Sequence, residues 1–182
     1  MVEPSLVQRI ARFRVAIGFA LGLLVLWLAQ PTATTIAVGG AIAAIGEALR
    51  VWASGHLNKA REVTSSGPYR WFPHPLYLGS SIMGVGLAVA SASAIVLVLI
   101  LGYLASTLTA AVKSEEAFLR SAFGARYDEY RSGSREASAQ GFSLARAKAN
   151  REYRAVAGLL GAVLLLILKA TYNGVFWRSG PP

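Results

Sequence analysis

Residues 76–112 read LYLGSSIMGVGLAVASASAIVLVLILGYLASTLTAAV and carry no Asp, Glu, Lys or Arg. A bilayer core of roughly 30 Å takes about 20 mostly apolar residues per helix, so this stretch is long enough to cross twice. The small polar triplet Ser91-Ala92-Ser93 stands near its middle and predicts a turn there. The pattern is therefore a helical hairpin with spans at about 76–91 and 94–112. No water is present in the bilayer core, so each span must bond its own backbone, and helices do this.

Outward from the hairpin the same test finds three more spans. The first, about 14–29, is closed by Pro31, and the second, about 32–52, is rich in Ala, Gly and Ile. Their short linker makes them a second hairpin. The fifth runs over about 155–172 and is followed by Phe176 and Trp177, which suit an interfacial aromatic belt. The fold class expected is all-α: one polytopic membrane domain over 1–182 with about five spans. Composition agrees, since 54% of the 182 residues are hydrophobic and 15% are charged, too apolar for a soluble chain of this size. The N-terminus has the basic-then-apolar order of a signal peptide, but its apolar run leads straight into further spans, so it reads as a retained first span. Gly18, Gly22, Gly39, Gly40 and Gly46 would permit close helix packing.

The net charge of +9 is then a topological signal. Arg9, Arg12 and Arg14 precede span one; Arg50, Lys59, Arg61 and Arg70 lie between spans two and three; nine more lie between Lys113 and Arg154. Sixteen of the eighteen basic residues thus fall on one face, while the turns at 30–35 and 91–94 carry no charge. The positive-inside rule places that face, with the N-terminus, in the cytoplasm and the C-terminus outside. Only Lys169 and Arg178 fall beyond it. The basic balance gives no reason to expect a nucleic-acid partner.

Two constellations on the basic face can carry chemistry. In TSSGPYRWFPHPLYLG, Gly67-Pro68 sets a turn, and Pro73 and Pro75 hold His74 on a stiff, non-helical segment. Tyr69, Trp71, Phe72 and Tyr77 offer aromatic surface to an adenine or a sulfonium, although an ordinary interfacial loop would have the same look. The second constellation is Lys113, Glu115 and Glu116, opening the polar region 113–154. Ala117, Phe118, Phe123, Tyr127 and Tyr130 give that region the spacing of an amphipathic helix at the membrane surface. Residues 133–141 look like a flexible break. Glu116 and Arg120 have i,i+4 spacing, and Glu47 and Arg50 lie one turn apart at the end of span two. There is no cysteine, and His56 and His74 are not spaced as metal ligands, so no metal site is expected.

At these residues the chain resembles the integral-membrane methyltransferases typified by isoprenylcysteine carboxyl methyltransferase, with the phospholipid methyltransferases as close relatives. The resemblance covers roughly residues 49–130: LRVWASGHL, GPYRWFPHPLYLG and EEAFLRSAFGARYDEY. It implies S-adenosylmethionine as cofactor, bound on the cytosolic side, and a lipid-like acceptor entering from the membrane. Gly67, Pro68, Tyr69, His74, Pro75, Tyr77 and Gly79 match the family's cofactor loop. Glu115 and Glu116 match its acidic pair, with Glu115 implied at the reacting centre. Pro73 stands where relatives usually have Arg, which leaves Arg70 as the substitute cation. Ala110, Ala111 and Lys113 stand where many relatives carry an arginine, and the Val-Pro-Arg tail after the tyrosines is absent.

Such a site would work largely by positioning. A carboxylate acceptor needs no base, because opposite charges neutralise on the way to the transition state; an amine must first lose a proton, for which Glu115 or His74 would serve. Two rival readings are an NADPH-dependent membrane reductase of related fold and a noncatalytic lipid-binding membrane protein.

Overall fold

The computed structural model describes residues 18–58, 62–133 and 140–174. Among them every regular element is helical: α1 (Gly18–Leu28), α2 (Ala33–His56), a short 3-10 helix (Gly67–Arg70), α3 (Pro75–Ala90), α4 (Ala94–Phe123), α5 (Ala125–Ser132), α6 (Leu144–Ala149) and α7 (Tyr153–Tyr172). The start of the first expected span with Arg9, Arg12 and Arg14, the pair Lys59 and Arg61, most of the expected break at 133–141, and Phe176, Trp177 and Arg178 lie outside the described residues.

Helices α2, α4 and α7 are long and apolar enough to cross a membrane; α1 and α3 are apolar but shorter. At 1.5 Å per residue, the 24 residues of α2 reach about 36 Å, the 16 of α3 about 24 Å and the 30 of α4 about 45 Å. Large apolar side chains stand exposed along α4 and α7, including Ile95, Val98, Leu101, Leu160, Leu164 and Leu168. Water would penalise such surfaces, whereas lipid suits them.

The stretch read as a span over about 94–112 lies within a longer helix. Helix α4 continues unbroken through Lys113, Glu115 and Glu116 to Phe123, because the residues after the span are good helix formers with no Gly or Pro among them. Gly124, at φ +52, ends it and turns the chain into α5, and Gly133, at φ +102, ends α5 in the left-handed conformation. The expected surface helix is thus two pieces, the end of α4 and the separate α5.

Both expected hairpin turns form, at the same end of the bundle. Thr32 caps α2 in a reciprocal pair with Thr35: the Thr35 amide donates to Thr32 Oγ1 at 3.2 Å and the Thr32 amide to Thr35 Oγ1 at 2.9 Å. Ser93 caps α4 through the Val96 amide, and the Gln30 amide donates to the Ser91 carbonyl at 2.7 Å, joining one turn to the other. Lys169, which the charge pattern left unexplained, donates to the carbonyls of Leu26 and Trp27 at 2.5 and 2.6 Å and so caps the end of α1.

Helices α2 and α3 pack antiparallel on a seam of small residues. Gly39 lies against Gly86 and Ala90, Ala43 against Gly86, and Gly46 against Gly79 and Met83, so closely that a Cβ on any of these glycines would strike the opposing backbone. Gly39 and Gly46 therefore serve as expected, whereas Gly22 and Gly40 face open space. The seam places the start of α3, and with it His74, beside the end of α2.

Candidate functional site

The loop that leads into α3 is shaped by its prolines. Pro68 is the second residue of the 3-10 helix and Pro75 the first of α3, both at positions where an amide would have no helical partner. His74 sits between them at the N-cap of α3, with Pro75 fully buried beneath it. The Tyr69 side chain is buried as well, and Tyr130 of α5 donates its hydroxyl to the Tyr69 carbonyl at 2.9 Å. Arg70, Trp71 and Phe72 form the exposed rim.

The loop meets the glutamates of α4. His74 Nε2 lies 3.2 Å from Glu116 Oε1, and His74 Nδ1 lies 3.6 Å from Glu115 Oε2. Both ring nitrogens thus face carboxylates. Burial opposes the charged imidazole, but the hydrogen bonds and negative charge of Glu115 and Glu116 outweigh it and hold its pKa above the ordinary value of 6.5. The Tyr77 ring lies 5.7 Å from that of His74, and its hydroxyl bonds Glu115. Burial, then the charge of Glu115, pushes the Tyr69 phenol far above its usual range, so it remains a neutral donor.

Arg131 of α5 completes the cluster by pairing with the same Glu116 oxygen that faces His74. Tyr127 is buried beside them; burial and Glu116 push its phenol up, while Arg131 works the other way. These α5 residues had aromatic spacing in the sequence, but only the reversal at Gly124 brings them back onto the loop. Arg120 pairs with Asp128 at 3.2 Å in place of the expected Glu116. Exposure separates the two glutamates: Glu116 is 15% exposed and Glu115 40%, so Glu115 is the carboxylate open to a ligand.

One turn below lies a second cluster. Arg50 Nη2 is 2.7 Å from Glu152 Oε1 and Nε is 3.5 Å from Glu47 Oε2, with both carboxylates 8% exposed. Arg50 also bonds Ser80, and its side chain fills the space a Cβ on Gly79 would need. Gly79 thus faces the helix seam. Neither oxygen of Glu47 finds an aligned donor among the described residues. Glu47 and Arg50 pair, as their spacing allows, but the partner from the start of α7 was not legible. Among the described residues no three His, Cys, Asp or Glu are placed to hold a metal ion.

Helices dressed for lipid around a charged, aromatic-rimmed site at one end define a helical membrane protein. A family model described as phospholipid methyltransferase matches residues 13–126, more than half of the 182-residue chain. The chain belongs to the phospholipid methyltransferase family, as the two motifs led one to expect, and is a membrane methyltransferase for phospholipid or related substrates. No curated protein and no solved structure matches it.

Proposed function

We propose that the protein transfers a methyl group from S-adenosylmethionine to a lipid-like acceptor at the cytoplasmic membrane face. The acceptor is either a phospholipid amine or the carboxylate of a prenylated-cysteine-like group. The observation that carries this reading is the placement of His74, from one motif, between Glu115 and Glu116 of the other. In this reading all five apolar helices span the bilayer, α1 and α3 included, with the N-terminus and the site cytoplasmic and the C-terminus outside. The sixteen basic residues on one face and the uncharged turns at the other support it.

The residues fit a cationic cofactor. Two carboxylates stand beside a rim of aromatic side chains, and a sulfonium is attracted to both kinds of surface. When bound, S-adenosylmethionine supplies an activated methyl group on a positively charged sulfur. Gly67, Pro68, Tyr69, Tyr77 and Pro75 shape and hold the loop against it, with Glu116 and His74 fixing its orientation and Gly79 keeping α3 close to α2. His74, with both nitrogens facing carboxylates, acts as a hydrogen-bond donor and not as a base. Glu115, the exposed carboxylate, takes the proton from an amine acceptor. Arg70, on the rim, steers an anionic group of the acceptor.

Calorimetric titration of S-adenosylmethionine into the detergent-solubilised protein, with NADPH as the control, tests the reading. Binding of S-adenosylmethionine alone, lost in His74→Ala, is expected. Glu115→Gln should weaken that binding, since one of the two carboxylates loses its charge, and at saturating S-adenosylmethionine should slow methyl transfer to an amine lipid by about a hundredfold, the usual weight of a positioned base. NADPH binding, or binding of neither compound by folded protein, would sink the proposal.

A further inference from the structure

His56 is the one histidine that the candidate site leaves without a task, and it is buried at the last turn of α2. Its Nδ1 lies 3.0 Å from Ser66 Oγ, a hydrogen bond between two buried side chains. The same ring lies flat against the next residue of the loop: a Cβ on Gly67 would stand 2.5 to 2.7 Å from its atoms. Gly67 also holds φ at +56, so both its backbone and the missing side chain suit this contact.

On its other side the ring meets residues 140–150, a strap that crosses the end of α2. The Phe142 ring lies 6.1 Å from that of His56, tilted by 55°, and occupies the space a Cβ on Gly55 would fill. The ring also bonds the backbone of Gln140. The strap itself satisfies carbonyls that the end of a helix leaves open. The Ser143 amide and Arg146 Nε donate to the Gly55 carbonyl at 3.0 and 2.8 Å. Asn150 Nδ2 donates to those of Ser54 and Leu57, each at 2.9 Å. Two glycines thus admit two rings, and a continuous line of contact runs from Phe142 through His56 to Gly67. Beyond Gly67 the loop leads directly to Tyr69 and His74.

We propose that His56 is a positioning residue that clamps the Ser66-Gly67 bend to the strap and so fixes the loop presenting Tyr69 and His74. The strap lies outside the matched residues 13–126, so this chain's later segment completes the site from behind. The inference rests on the cofactor reading only for its consequence in binding; the order of the loop is measurable without any ligand.

Arg70, exposed on the loop, is a trypsin site that reports that order. In the full-length protein in detergent, His56→Ala should speed cleavage after Arg70 about fivefold, the factor expected for one net hydrogen bond. His56→Asn, whose amide can reach the position of Nδ1, should restore the rate to within roughly twofold of the parent, and Ser66→Ala should match His56→Ala. The affinity for S-adenosylmethionine, read by calorimetry, should weaken in His56→Ala by a similar factor of about five. Cleavage at the parent rate in folded His56→Ala overturns the clamp. If that variant does not fold, Ser66→Ala decides by the same measure. Faster cleavage in His56→Ala, together with a parent protein that binds no S-adenosylmethionine, sustains the clamp and overturns the cofactor reading instead.

Discussion

Two clusters near the same end of the bundle share a plan, two carboxylates around one nitrogen base, and differ in closure. In the lower one Glu47 and Glu152 face Arg50 with 8% of each carboxylate residue's side chain exposed; in the upper one Glu115 and Glu116 face His74, and Glu115 is 40% exposed. The lower cluster draws its residues from α2 and the start of α7 and touches α3 through Ser80, so it ties the bundle together. The upper one joins a loop to the end of α4 and keeps one carboxylate facing outward. Charge placed where nothing can reach it holds helices together; charge with an open side can meet a ligand.

Breaking the lower cluster should have the largest effect. Arg50→Ala leaves two buried carboxylates without their cation and should cost about 3–5 kcal/mol of stability, read as chemical denaturation in mixed micelles. Arg50→Met combined with Glu47→Gln and Glu152→Gln should recover most of that loss, since the charges leave together. A small effect of Arg50→Ala alone would show that the two clusters are not different in kind.

The upper cluster should respond to pH. Because the folded pKa of His74 is raised above 6.5, its stabilisation is fully present below about pH 6.5 and is lost as pH rises through the folded value. Thermal unfolding followed from pH 6 upward should show a falling midpoint, and His74→Asn should flatten that slope. A slope that survives the substitution would assign the titration elsewhere. The smallest effect belongs to a third pair, Arg120 and Asp128, both more than half exposed. Arg120→Ala should change stability by less than about 0.5 kcal/mol in the same denaturation assay.

Much of this was legible in the sequence. Hydropathy located the helices and both turns, because runs without charge admit few alternatives, and Ser91-Ala92-Ser93 and Pro31 punctuate them. The two motifs named the residues His74, Glu115 and Glu116. Their convergence was not legible, since it depends on how the α2–α3 seam sets the height of the loop against α4. Arg131 and Glu152 escaped for the same reason: each reaches its partner only after a chain reversal, at Gly124 for one and around the strap for the other. The unbroken run of α4 past 112 was not legible, because hydropathy marks where a span stops, whereas helix propensity decides where a helix does.

That unbroken α4 has a mechanical consequence. From Val112 to Glu115 the axis rises about 4.5 Å with no Gly or Pro between, and the first hinge, Gly124, comes after the glutamates. Any tilt that a thinner or thicker bilayer imposes on the apolar length of α4 is therefore delivered to the carboxylates as from the end of a stiff lever. The loop bearing His74 begins α3 and is also held to α5 by the Tyr130 hydroxyl, so such a tilt would bear on the contacts between His74 and the glutamates from both sides.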